Sequence, residues 1–291
     1  MRRSCLFIHV NKFILWSLLI LLPACTHKHI PWFKTLPTHR YNQEQQKPMV
    51  IVIPSYNNQG WYKYNLDSVY AQKYQNFSII YIDDCSTDNT APLVTTYIKK
   101  HKYTNIKLIK NKKRHGALAN IWHALALCQD NVIVITLDGD DWLSHNQVLA
   151  YLNHYYQNPT VWLTYGQFQN WPTGSAGWCQ DIPQEVIVHN NFRANGFWFA
   201  QLRTFYAWLA KKINQHDLID PQTGDFYQVA GDAALMFPMV ELAGTHIRYI
   251  DQVLYFHNVN TPLNDFKVHH NEQMAVTAYI QKQRAYFPLA P

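Results

Sequence analysis

Four apolar, β-branched runs, three of them followed by a stretch of helical spacing, constrain this chain more than any other feature. They lie at 49–54 (MVIVIP), 77–82 (FSIIYI), 106–109 (IKLI) and 132–137 (VIVITL), and each reads as a buried strand. Between them 61–72, 90–101 and 117–127 read as helices, with Leu66, Val69 and Tyr70 on one face of the first. Such alternation predicts an α/β domain built on a doubly wound, mostly parallel sheet flanked by helices. Parallel strands all point one way, so their carboxyl ends share one edge of the sheet. Ligands bind at that edge in open α/β sheets.

The composition of that edge is unusual. The run at 132–137 ends in Asp138-Gly139-Asp140-Asp141, and the run at 77–82 ends in Asp83-Asp84-Cys85-Ser86-Thr87-Asp88. Carboxylates at this density repel one another and are costly to desolvate unless a cation compensates them. Hard divalent ions such as Mg²⁺ and Mn²⁺ take oxygen ligands, often shared with substrate phosphates. A metal–diphosphate site is therefore expected where Asp83, Asp84, Asp138, Asp140 and Asp141 converge. An acidic turn with Asp140 or Asp141 capping a helix is the alternative reading.

Beyond residue 158 the alternation weakens. A strand is expected at 160–165, a loop-rich stretch dense in Trp and Phe at 166–200, and a helix at 201–213. A second helix at 233–243 has Asp232 near its N-cap, a strand follows at 248–257, and a last helix at 271–283. The chain carries 291 residues, 15% of them charged, with net charge +6; the one basic cluster, 110–114 (KNKKR), suits an anion such as a nucleotide diphosphate. It is too short to argue for nucleic acid, and no nucleic-acid-binding module is present. The five cysteines include no CxxC pair, which argues against a zinc site or a disulfide framework.

The N-terminus reads separately. Met1-Arg2-Arg3 and Lys12 precede the apolar run 13–22, and Pro23-Ala24-Cys25 follows it. A basic stretch before a short apolar one predicts membrane targeting by a signal or anchor within 1–25. Leu22-Pro23-Ala24-Cys25 resembles a bacterial lipoprotein cleavage box, with Cys25 as the lipidated residue. Residues 26–47 are polar and proline-bearing and read as a linker.

Val52-Ile53-Pro54-Ser55-Tyr56-Asn57, Ile82 to Asp88, Gly116-Ala117-Leu118-Ala119-Asn120 and Asp138-Gly139-Asp140-Asp141 together resemble the family 2 glycosyltransferases, in order and spacing, over residues 49–145. The resemblance implies a GT-A fold, with a nucleotide-sugar-binding half at 48–145 and a looser, aromatic-rich acceptor half of the same domain at 146–291. It implies inverting transfer from a nucleotide diphosphate sugar, UDP-linked, to a hydroxyl of a saccharide, lipid or protein, with Mn²⁺ or Mg²⁺. Pro54, Tyr56 and Asn57 would meet the nucleotide base, and Asp83 and Asp84 the base N–H and ribose hydroxyls. Arg114 and Asn120 would approach the diphosphate or sugar, and Asp138 the ribose or donor sugar. Asp140, with Asp141 close by, would bind the metal, and His257 could add an imidazole. Asp232 would be the general base, with Asp225 and Glu241 as runners-up. Trp171, Trp178, Trp198 and Phe199 could stack on an acceptor sugar or belong to the core. Two other readings are an exported saccharide-binding lipoprotein and a GT-A-fold nucleotidyltransferase. The second would want a glycine-rich phosphate loop after the first strand, and Ser55-Tyr56-Asn57-Asn58 is not one.

Overall fold

A computed structural model describes residues 30–37, 44–261 and 269–290. The targeting segment and Cys25 lie outside the described residues. Among those described, no helix is long and apolar enough to cross a membrane.

The first half follows the sequence pattern closely. Strands β1 (Met49–Ser55), β2 (Phe77–Asp83), β3 (Ile106–Lys110) and β4 (Ile133–Thr136) alternate with helices α1 (Tyr62–Tyr70), α2 (Thr90–His101) and α3 (Ala117–Leu125). The four strands are parallel and stand in the order β3-β2-β1-β4. β1 is buried along its whole length, as a central parallel strand covered on both faces must be. Its residues divide by parity. Val50 and Val52 pack with Leu118, Leu235 and Phe237 on one side, and Ile51 and Ile53 pack with Leu66, Val69 and Val94 on the other. The sheet thus separates two apolar layers.

The second half makes the sheet mixed. It holds β5 (Trp142–Leu143), α4 (Val148–Tyr156), β6 (Leu163–Trp171), α5 (Gln184–Val188), β7 (Arg203–Tyr206), α6 (Ala207–Ala210), α7 (Gly231–Ala243), β8 (Ile247–Asn258) and α8 (His270–Gln281). The eight strands run β3-β2-β1-β4-β7-β6-β8-β5. β7 lies antiparallel to both β4 and β6, β8 is parallel to β6, and β5 is antiparallel to β8.

Two expectations need revision here, and one helix is new. The helix expected at 201–213 is instead β7 followed by the short α6. Arg203, Thr204 and Phe205 are buried between two neighbouring strands, and that tertiary pairing overrides the local helical pattern. The new helix is α4, in a segment for which the sequence pattern predicts none. The linker expected at 26–47 is anchored over its described part: Trp142 Nε1 donates to Pro31 O at 2.9 Å, Lys34 N to Ser144 O at 2.9 Å and Lys47 N to Asn153 Oδ1 at 3.0 Å. Ile30 is buried against Trp142 and Phe256, so residues 30–37 form a strap behind the acidic turn.

Candidate active site

The strand ends of β1, β2 and β4 and the first turns of α3 and α7 surround a cleft of about 350 Å³, within the usual range for small-molecule sites. Pro54, Tyr56, Asp84, Arg114, Asn120, Asp138, Asp140, Asp141, Asp232 and His257 all line it. Asn57 and Asp83 stand just behind. One cleft therefore gathers side chains from the whole length of the sequence pattern.

The acidic turn sits at its centre. Gly139 makes the turn possible, because a Cβ there would lie 2.7 Å from both Ser55 Oγ and Asn58 Nδ2. Asp138 is half-buried, and its Oδ2 accepts from Tyr255 OH at 3.2 Å and Gln201 Nε2 at 3.4 Å. Burial, and then Asp141, raises the Asp138 carboxyl above the ordinary carboxylate value. Burial, Asp141 and Asp138 raise Asp140 well above it. For both carboxyls the charged form is therefore costly, and a bound cation would relieve that cost.

Asp141 behaves differently. It is 1% exposed, and its oxygens are held by protein donors: Oδ1 by Asn258 N at 2.6 Å, Oδ2 by His257 Nδ1 at 3.1 Å and by Tyr255 OH. The expectation of Asp141 as an open metal ligand is therefore corrected: it is an anchor tying the turn to β8. Its partner His257 faces the same cleft. Burial disfavours the imidazolium, but Asp141, Asp140 and Asp138 outweigh that and push its pKa up to about 9.

The nucleotide side shows a similar division between frame and opening. Asp84 Oδ2 accepts from Gly116 N at 2.8 Å, and its Oδ1 from Asn111 Nδ2 at 2.8 Å and His115 N at 3.0 Å. Burial opposes its charge, yet bonds from Asn111, Gly116 and His115, with the Asn120 amide close by, hold its pKa below the ordinary value. Asp84 thus fastens the basic loop and the start of α3. Asp83 is 3% exposed, accepts at Oδ2 from Ser86 N at 3.3 Å, and has a buried Oδ1 with no partner. The amide Nδ2 of Asn120 and the hydroxyl of Thr136 are likewise buried and unpartnered, and both residues line the cleft. Unsatisfied groups of this kind fit a polar ligand.

Arg114 lies over the ring of Tyr56, its Cζ 4.0 Å from the ring centroid, so that face of the tyrosine is already covered. Asn57 does not reach the cleft with its amide, which bonds Thr87 N at 2.8 Å and Thr87 Oγ1 at 3.1 Å. Its backbone sits at φ 54°, a left-handed conformation that asparagine tolerates. A base contact from Asn57 is therefore replaced by a clamp between two loops.

Asp232 enters the cleft from the second half. It lies in the first turn of α7, behind an N-cap at Ala230, so it is not itself the cap. Its Oδ2 accepts from Arg203 Nη2 at 3.0 Å, and its side chain is 30% exposed. The runners-up lie elsewhere. Asp225 sits on an exposed loop, and Glu241 is 0% exposed and bound to Arg193 and Tyr286 N. None of the four aromatics proposed for an acceptor lines this cleft. Phe199 is core, Trp171 packs edge-on against Trp142, Trp198 bonds Asn195 O, and Trp178 alone is exposed.

Sequence reasoning missed Gln201, Arg203, Tyr255, Asn258 and Gln228, all of which touch the site. Tyr255 stood two residues from His257 in an alternating strand, a signal that could have revealed it. The others lie in segments with no local motif.

A mixed α/β sheet with a nucleotide-sized acidic cleft at its switch in strand direction defines a GT-A-type domain. Glycosyl transferase family 2 is the family whose model matches, over residues 50–223, and the chain belongs to that family. An uncharacterized glycosyltransferase of Haemophilus influenzae is 30% identical over 118 residues, 40% of this chain and 46% of the relative. The crystal structure of S. aureus TarS 1–349 in complex with UDP-GlcNAc superposes with TM-score 0.58 at 17% identity, covering 80% of this chain and 66% of that one. The mannosyltransferase PcManGT from Pyrobaculum calidifontis, in complex with GDP-Man and Mn²⁺, gives 0.57 at 18% identity, covering 87% and 69%. The chain spans less than half the length of the curated relatives it matches.

Proposed function

We propose that the protein is an inverting, metal-dependent glycosyltransferase that moves a sugar from a UDP-linked donor to a hydroxyl of a saccharide, lipid or protein. The observation that carries this reading is one cleft holding the Asp138–Asp140 pair and, across it, Asp232. Family membership and the donor-bound relatives of the same fold support it.

Among the described residues, no three His, Cys, Asp or Glu side chains form a metal cage by themselves. The donor set nevertheless fits Mn²⁺ or Mg²⁺, which are commonly bound by one or two carboxylates plus substrate phosphates. The raised carboxyls of Asp138 and Asp140 are the groups such an ion would relieve. Asp140 would hold it, with Asp138 beside it and His257 adjoining. When bound, the ion supplies Lewis-acid stabilisation of charge on the departing diphosphate.

The remaining work falls to the chain. The unpartnered Asp83 oxygen is an acceptor for a base N–H or ribose hydroxyl, and Asn120 is a donor for diphosphate or sugar. Arg114 adds positive charge at the cleft wall. Asp232 takes the proton from the acceptor hydroxyl. That oxygen forms its bond to the anomeric carbon as the bond to the diphosphate breaks, and the electron pair leaves with the phosphate oxygen. Attack from the face opposite the leaving group inverts the centre. Membrane association through residues 1–25 belongs to the proposal and rests on the sequence alone.

Isothermal titration with UDP, with and without Mn²⁺, tests the donor half of this reading. Metal-dependent binding is expected; no binding, or binding indifferent to Mn²⁺, contradicts it. For the chemical half, Asp232→Asn should leave UDP affinity intact and lower turnover by about 10²–10⁴-fold.

A further inference from the structure

We propose that Arg203 is a positioning residue that fixes the carboxylate of Asp232 for proton abstraction. The inference rests on the reading of Asp232 as the base and goes beyond it, since no motif in the sequence points to Arg203.

The sheet delivers the guanidinium to its place. Arg203 opens β7 and pairs with Thr136, the last residue of β4 and two positions before Asp138. The arginine is 8% exposed. Its Nε donates to Phe199 O at 3.0 Å, and its Nη2 donates to Asp232 Oδ2 at 3.0 Å. The first bond aims the planar fork, and the second transmits that aim to the carboxylate. Asp232 Oδ1 accepts from Ala233 N at 2.9 Å. Each carboxylate oxygen therefore has one fixed donor and keeps a further lone pair for an acceptor hydroxyl.

A carboxylate on the first turn of a helix and partly open to solvent would otherwise sample several rotamers. Misplacement of a reacting group by about 1 Å can cost on the order of 10²-fold in rate. Lysine cannot replace the fork, because one ammonium does not reproduce two bonds in a fixed plane.

The test uses the full chain with Arg203→Lys, Arg203→Ala, Asp232→Asn and the Arg203→Ala/Asp232→Asn double variant. UDP affinity with Mn²⁺ is read by calorimetry. Turnover is read as UDP released from UDP-N-acetylglucosamine and from UDP-glucose, water serving as acceptor. Arg203→Lys should lower turnover by about tenfold and Arg203→Ala by about 10²-fold, with UDP affinity within about twofold of wild type. Added guanidinium ion should restore part of the turnover of Arg203→Ala, and the alanine should cost nothing more on top of Asp232→Asn. Wild-type turnover by Arg203→Ala beside an inactive Asp232→Asn would overturn the positioning role and leave the base assignment standing. A fully active Asp232→Asn would sink the base assignment, and this inference with it. UDP affinity falling in step with turnover would make Arg203 a donor-binding group instead. Loss of near-UV circular dichroism in both Arg203 variants would make it a residue of the fold. Either result overturns the proposal.

Discussion

At the scale of single residues, the acidic turn divides its labour. Asp138 and Asp140 face the cleft with their charged forms disfavoured, whereas Asp141 is held by Tyr255, His257 and Asn258. Asp140→Asn should therefore abolish Mn²⁺-dependent UDP binding in calorimetry while leaving the fold intact. Asp141→Asn should act differently, lowering the melting temperature because the donors around it lose a buried acceptor. The turn also depends on having no side chain at Gly139. Gly139→Ala places a Cβ 2.7 Å from Ser55 and Asn58, groups already bonded to each other at 3.1 Å. A loss of about 1–3 kcal/mol is expected in urea unfolding, together with weaker UDP binding. The density of aspartates was legible in the sequence, because few functions other than a cation site tolerate it. The division between Asp140 and Asp141 was not, since it depends on β8, more than a hundred residues away. Arg203 was invisible for the same reason: an arginine in a mixed segment reads as surface until the sheet buries it.

At the scale of elements, the first four strands were readable because each is rich in apolar residues and the three helices between them have a clear period. β1 to β4 differ from expectation by one residue at most at either end. The second half was harder to read. β7 is buried on both sides and lacks an alternating pattern, so its strand character comes from β4 and β6 rather than from its own residues. α7 is buried nearly all round, which removes the polar face that would set its phase. One charge lies inside that helix. Glu241 is 0% exposed, its Oε2 accepts from Arg193 Nη2 at 2.9 Å and from Tyr286 N at 3.0 Å, and the pair ties α7 to the C-terminal segment. Glu241→Gln leaves a buried guanidinium without its counter-charge and should cost about 3–5 kcal/mol in urea unfolding. Its effect on UDP affinity should be small, because Glu241 does not line the cleft.

At the scale of the whole molecule, stability and donor binding draw on different groups. His145, 4% exposed behind the acidic turn, is held neutral: burial, and then Lys34, lowers its pKa to about 4. Between that value and the ordinary 6.5 the unfolded chain binds more protons than the folded one, so stability falls as pH drops through this window. This group alone should make the protein about 2 kcal/mol less stable near pH 5 than near pH 7.5, and His145→Asn should flatten that slope. The strap at residues 30–37 meets the same region, so the chain ahead of the first strand supports the site from behind. That arrangement was not legible in a polar, proline-bearing stretch, because its contacts are mainly backbone bonds to distant residues. In the proposed function, the aspartates of the cleft bind a nucleotide diphosphate through a divalent ion. Calorimetric titration of UDP into wild type and Asp140→Asn, each with Mn²⁺ and with EDTA, tests it most directly. Saturable binding is expected only for wild type with Mn²⁺. Equal affinity in EDTA, or in Asp140→Asn, would contradict it.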